Sequence, residues 1–188
     1  AQNHPVVVST SASAAAIILE NVEPATAKIL KQIPMNSLVS ATVFFKNANH
    51  HFQGFGTLIP RKYLMKTLGI LQNPFIFPGR DKVYNETFIL GGGTQEDLSS
   101  KTDAELLADI LSDRQKVFNS TTIEVIDKKI FRWKNSLPHY TVALEKLLLD
   151  LKTTPKNTQF YLHGNYVAGI GLSKIIDHSD LLMKELCK

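Results

Sequence analysis

Phe160-Tyr161-Leu162-His163-Gly164-Asn165-Tyr166-Val167-Ala168-Gly169-Ile170-Gly171-Leu172 is the stretch on which the reading of this chain turns. Gln159 to His163 has the aromatic and branched content of a short strand, and glycines then punctuate the chain before helical spacing sets in at Gly171. A helix that starts this way presents unpaired amides and the positive end of its dipole, which suits a phosphate or a polarised carbonyl. Gly169 and Gly171 would let a ligand come close to the backbone. The first turn carries Ser173 and Lys174, and no carboxylate stands there before Asp177 to repel an anion. Read from the residues alone, two possibilities stay open: an anion-facing helix start, or a glycine-rich turn that binds nothing. Formal nucleotide motifs are absent. Gly169-Ile170-Gly171 lacks the third glycine of a dinucleotide fingerprint, and Gly91-Gly92-Gly93 lacks the Gly-Lys-Ser/Thr of a phosphate loop.

Downstream of this turn, a helix over 171–186 is expected to bury Leu172, Ile175, Ile176, Leu182, Met183 and Leu186. Upstream, Tyr140, Ala143, Leu144, Leu147, Leu148 and Leu151 mark an amphipathic helix that stops before Pro155. Thr102-Asp103-Ala104-Glu105 is a capping box, and the apolar spacing behind it predicts a helix over 103–118. Strands are expected at 37–46, 57–60, 67–72, 84–90 and 121–133, and a buried strand at Val6 to Ser9. Between that strand and Pro34, an Ala-rich helix over about 13–21 precedes a second one opened by Pro24. The fold class is α+β: a β-rich middle with helices at both ends.

Composition narrows the function. The chain has 188 residues, 44% hydrophobic and 20% charged, which is enough apolar material for a packed core. A net charge of +4, spread along the sequence, does not favour a nucleic-acid partner. Cys187 is the single cysteine, so neither an internal disulfide nor a cysteine metal cluster can form, and a reducing, cytoplasmic setting is expected. No run reaches the roughly 18 apolar residues of a membrane span. His50-His51 would point apart on a strand and has no third ligand in view, so the pair is assigned to a solvated loop and no metal is expected. No residue can be singled out as catalytic.

Six segments, in order, carry a resemblance: Val6-Val7-Val8-Ser9-Thr10-Ser11; Gly54-Phe55-Gly56-Thr57-Leu58-Ile59-Pro60; Leu68-Gly69-Ile70-Leu71 with Phe77-Pro78-Gly79-Arg80; Thr87-Phe88-Ile89-Leu90-Gly91-Gly92; Trp133 to Tyr140; and Gly164-Asn165-Tyr166 with Gly169-Ile170-Gly171-Leu172. Together they resemble the C-terminal portion of the protoporphyrinogen oxidases, within the FAD-containing amine oxidase superfamily. The match to Thr-Phe-x-Gly-Gly has one extra residue before the glycines. Thr94-Gln95-Glu96 departs from the family's arginine after Gly-Gly, and Lys174-Ile175-Ile176 stands where many members have Cys-Ile.

The resemblance implies oxidation of protoporphyrinogen IX, or coproporphyrinogen III, to the porphyrin in heme biosynthesis, with FAD as electron acceptor. It implies FAD contacts at Trp133, Ile170, Gly171 and Leu172. It implies tetrapyrrole contacts at Leu58, Leu71 and Phe88. It further implies a segment bridging two domains over 1–36, a substrate-binding portion over 37–132, and a C-terminal FAD-binding segment over 133–188. The family's N-terminal dinucleotide-binding unit is not found in these residues, so a partner carrying that half is expected, and the chain by itself is expected to be inactive. A homodimer and peripheral membrane association are both compatible with the resemblance. The competing readings are another amine oxidase relative, such as a carotenoid desaturase or monoamine oxidase, a standalone module that binds porphyrin or another apolar ligand without redox chemistry, and a structural interaction domain.

Overall fold

The computed structural model describes residues 4–93, 98, 100–120, 123–155 and 159–187. The start of the expected strand at Thr121 and the Thr94-Gln95-Glu96 departure lie outside the described residues. In chain order the elements are β1 (Val6–Val8), α1 (Ala12–Leu19), α2 (Pro24–Leu30), β2 (Met35–Phe45), β3 (Gly56–Leu58), β4 (Thr67–Gln72), α3 (Asn73–Ile76) and β5 (Asn85–Gly91). Then follow α4 (Asp103–Phe118), β6 (Val125–Pro138), α5 (Val142–Thr153), β7 (Phe160–Leu162), α6 (Asn165–Ala168) and α7 (Leu172–Leu186). The fold is mixed α+β, as expected. The chain divides into two units, one made of Ala1–Met35 with Ser136–Lys188 and the other of Asn36–Asn135.

The discontinuous unit has a two-stranded parallel sheet, in which Val6, Val7 and Val8 pair with Phe160, Tyr161 and Leu162. Ser11 caps α1 by accepting from the Ala14 amide at 3.3 Å, and Pro24 opens α2, where its missing N–H leaves nothing unpaired. Ala12, Ala15, Ala16 and Leu19 of α1 form a core with Leu30, Leu144, Leu151 and Tyr166. Burial holds the Tyr166 hydroxyl protonated, its pKa pushed up to about 12. The expected burial of the first strand, Val6 to Ser9, fails at three positions. Only Val8 is enclosed, while Val6, Val7 and Ser9 are exposed.

The continuous unit is a five-stranded sheet in the order β3-β4-β5-β2-β6, with antiparallel pairing at β3–β4, β4–β5 and β5–β2. Gly56 is required where β3 meets β4, since a Cβ there would stand 2.4 Å from the Ile70 carbonyl oxygen. Val39, Ala41, Val43, Phe45, Ile70, Phe88 and Leu90 share one face and pack with Leu106 and Ile110 of α4. Each such burial contributes about 1.5–3 kcal/mol for the larger side chains. The capping box is formed: Thr102 Oγ1 accepts from the Glu105 amide, and the Thr102 amide donates to Glu105 Oε2 at 2.8 Å. At the helix's other end Asp113 accepts from the Lys66 and Thr67 amides at 2.8 Å, which fixes α4 to the start of β4.

This closed face also encloses charge. Arg114 Nε donates to Glu86 Oε2 at 2.7 Å and its Nη2 to Glu86 Oε1 at 3.0 Å. Tyr84 Oη donates to Glu86 Oε1 at 2.8 Å, and His50 Nε2 lies 3.0 Å from the same oxygen. His50 is therefore not in a solvated loop. Its side chain is 3% exposed and stacks on Phe118 at 4.1 Å, drawn in by the Glu86 carboxylate, while His51 alone remains exposed. Among the described residues no group of three metal-ligating side chains occurs.

Candidate functional site

Among the described residues of this unit, the single turn α3 borders the opposite face of the five-stranded sheet, which presents the residues that a ligand could meet. Strand alternation assigns them. Leu58 pairs with Gly69, which pairs with Ile89, and Leu71 pairs with Thr87, which pairs with Thr42. All these side chains point away from α4. Leu58 is 88% exposed and Leu71 is 42% exposed. Leu58 Cδ2 lies only 3.4 Å from where a Cβ of Gly69 would stand, so its side chain covers the glycine. Trp133 on β6 joins the same face: its indole Nε1 donates to Ser40 Oγ at 3.0 Å and the ring is 53% exposed. Phe131, also exposed, neighbours it at 6.4 Å between ring centroids. Three residues expected at a ligand site in this unit thus share one surface.

Phe88 does not share it. Its side chain is 0% exposed and packs edge-on against Phe45 on the closed face. Its pairing decides this: Phe88 stands opposite Ala41 and Ile70, which share the closed face. The open-face position on β5 is taken by Ile89, flanked by Thr87. The expectation that Phe88 stacks on a ligand is therefore corrected.

In the discontinuous unit, Ile170, Gly171 and Leu172 form the start of α7. Gly169 has φ 111°, a left-handed turn that favours glycine and swings the chain into the helix. Gly171 is the N-cap, no side chain caps the helix, and no acidic residue stands in its first turn. Ile170 and Leu172 are 49% and 79% exposed. The first amides of this 15-residue helix are thus open to an acceptor and biased toward negative charge. These features fit a phosphate or a flavin carbonyl.

The inner face of α7 differs from the expected one. Ile175, Leu182 and Leu186 are half-buried with His178 and Ser179, whereas Leu172, Ile176 and Met183 are exposed. The helix is apolar over a wider arc than one neighbour can cover. Beneath it lies a groove of about 540 Å3 lined by Leu148, Leu151, Leu162 and Leu182, with Lys152, His178 and Glu185 also at its wall. His163 Nδ1 and His178 Nδ1 are 2.9 Å apart, and Ser179 Oγ is 3.2 Å from His163 Nε2. Burial, and then the charge of His163, hold the His178 pKa below its usual value.

No protein-family profile matches the sequence. Among curated proteins, the chain is 28% identical over 131 residues to the chloroplastic protoporphyrinogen oxidase of Oryza sativa subsp. japonica. It is 28% identical over 133 residues to protoporphyrinogen oxidase 1 of Arabidopsis thaliana, and each alignment takes in 66% of this chain and 24% of the relative. The chain is a distant relative of the protoporphyrinogen oxidases. It spans about a quarter of the length of the protoporphyrinogen oxidases it matches. Among solved structures, a protein provisionally designated a protoporphyrinogen oxidase, from Exiguobacterium sp. 255-15, superposes with a TM-score of 0.75 at 18% identity, over 97% of this chain and 40% of that one. Cyclohexylamine oxidase from Brevibacterium oxydans IH-35A superposes with a TM-score of 0.67 at 12% identity, over 98% of this chain and 43% of that one. These two establish the shared fold. Among the described residues no helix is long and apolar enough to cross a membrane.

Proposed function

We propose that this chain is the C-terminal portion of a flavin-dependent oxidase that converts protoporphyrinogen IX, or coproporphyrinogen III, to the corresponding porphyrin in heme biosynthesis. The observation that carries the reading is the open sheet face, where Leu58, Leu71, Phe131 and Trp133 offer exposed apolar and aromatic surface. A flat macrocycle requires walls of this kind. Ile89 replaces Phe88 as the β5 contribution to that wall.

FAD, when bound, would supply the hydride chemistry. The amides at the start of α7, reached through Ile170, Gly171 and Leu172, would hold a polar part of it. The two-stranded parallel sheet is too small to stand alone as a dinucleotide-binding layer. That agrees with a reading in which a further polypeptide segment completes it. The chain alone is then inactive.

Two measurements test this. Protoporphyrin IX titrated into the chain should quench Trp133 fluorescence saturably, since Trp133 is the only tryptophan. An absence of quenching would sink the tetrapyrrole reading. Reduced porphyrinogen incubated with the chain and FAD should oxidise no faster than without protein. Rapid turnover would overturn the claim that a further segment is needed.

A further inference from the structure

Toward α3 the open sheet face deepens into a concavity of about 390 Å3. Its floor is a polar row running across three neighbouring elements. Asn73 Nδ2 donates to Asn85 Oδ1 at 2.6 Å and to Thr87 Oγ1 at 2.9 Å, and Thr87 Oγ1 lies 2.9 Å from Thr42 Oγ1. The two threonines bring two hydroxyl protons, and their mutual bond uses one. Whichever way that bond runs, one hydroxyl proton is left over for a ligand. Phe44, Phe77 and Phe131 form the walls.

The rim is cationic. Arg80 lies over the Phe77 ring at 5.0 Å and has no ion-pair partner among the described residues. Lys129 stands on the β6 side, with Nζ 4.0 Å from Asp127 Oδ2 and both groups exposed, a contact too loose to hold it. The one carboxylate at the rim is Asp81, and it accepts from Asn85 Nδ2 at 3.0 Å. Two cations, a spare hydroxyl donor and aromatic walls therefore converge where the apolar face ends.

We propose that this concavity binds the carboxylate of a ligand whose flat apolar body lies on the open sheet face. The proposal deepens the reading of that face as the ligand wall and rests on it. Arg80 and Lys129 supply charge, the Thr42–Thr87 pair supplies a hydrogen bond, and Phe131 lies between this end and Trp133. The ligand class is thus an aromatic or macrocyclic acid with a flexible carboxylate arm.

The experiment compares 1-pyrenebutyrate with 1-pyrenebutanol, which share a flat body and differ in the carboxylate, using quenching of Trp133. In the 188-residue chain, the acid should bind about tenfold more tightly than the alcohol, the range expected for hydrogen bonds to a charged group. That preference should vanish in the Arg80→Gln/Lys129→Gln variant while the affinity for the alcohol holds. It should also shrink as salt rises from about 0.01 M to about 1 M, where the Debye length shortens from about 30 Å to about 3 Å. Equal affinities for the two probes, a preference that survives in the double variant, or no binding of either probe would each overturn the proposal. If pyrenebutyrate shows the preference and protoporphyrin IX does not bind, the carboxylate site stands and the tetrapyrrole reading falls.

Discussion

The Glu86 carboxylate is fully enclosed and receives hydrogen bonds from Arg114 and Tyr84. Burial, reinforced by the Glu86 charge, drives the Tyr84 pKa up, so this phenol remains a donor at every ordinary pH. Glu86→Gln would leave the buried Arg114 guanidinium uncompensated, which costs about 3–5 kcal/mol. Urea unfolding should read that loss as a lower midpoint at unchanged slope. His178 gives a pH prediction. Its folded pKa is depressed, so on acidification the unfolded chain takes up the proton first. Stability is therefore full above about pH 6.5. It falls as the pH drops from there through the lower folded value and then levels off. Melting temperatures of His178→Asn should vary less between about pH 8 and pH 5 than those of the unsubstituted chain, and parallel curves would contradict this. The facing of Phe88 is not legible in the sequence, where the resemblance implies a ligand contact; pairing with Ala41 and Ile70 turns the ring to the core instead.

At the scale of elements, α4 was read correctly from end to end because its signals are local. Its capping box and its apolar spacing both lie within the segment itself. Thr102→Ala removes the side-chain half of that box and should cost about 1 kcal/mol, seen as a lower thermal midpoint. The Glu105 pKa is lowered by its bonds to Thr102, so the carboxylate's own share in the cap is present above the ordinary carboxylate pKa and is lost as pH falls through the folded value. By contrast, α3 was not anticipated. Asn73-Pro74-Phe75-Ile76 is a single helical turn between two strands, and a proline there reads equally well as a break. The covered arc of α7 also differs from the one its apolar spacing predicts. Ile175 and Ile176 are both apolar, and hydrophobicity alone does not say which one meets a neighbour.

For the whole molecule, the segment Asn36–Asn135 is inserted within a unit built from both ends of the chain. Its own ends meet, because the Asn135 amide donates to Ser37 Oγ at 3.1 Å. It also has its own core, from Val39 to Ile130. Expressed alone, this segment should fold and unfold cooperatively by circular dichroism, since a domain with adjacent ends and a self-contained core can be excised. A gradual, non-cooperative melt would refute that independence. By itself the sequence determined the α+β class, most strands, the capped helices and the likeness to protoporphyrinogen oxidases, because these rest on local periodicity, caps and short motifs. Only the tertiary structure decided that Leu58, Leu71 and Trp133 share an open face, that Phe88 lies behind it, that His50 is drawn in to Glu86, and that Arg80 and Lys129 flank one concavity. Those facts depend on pairing register between strands distant in sequence, and one residue more or less in a strand changes which side chains meet.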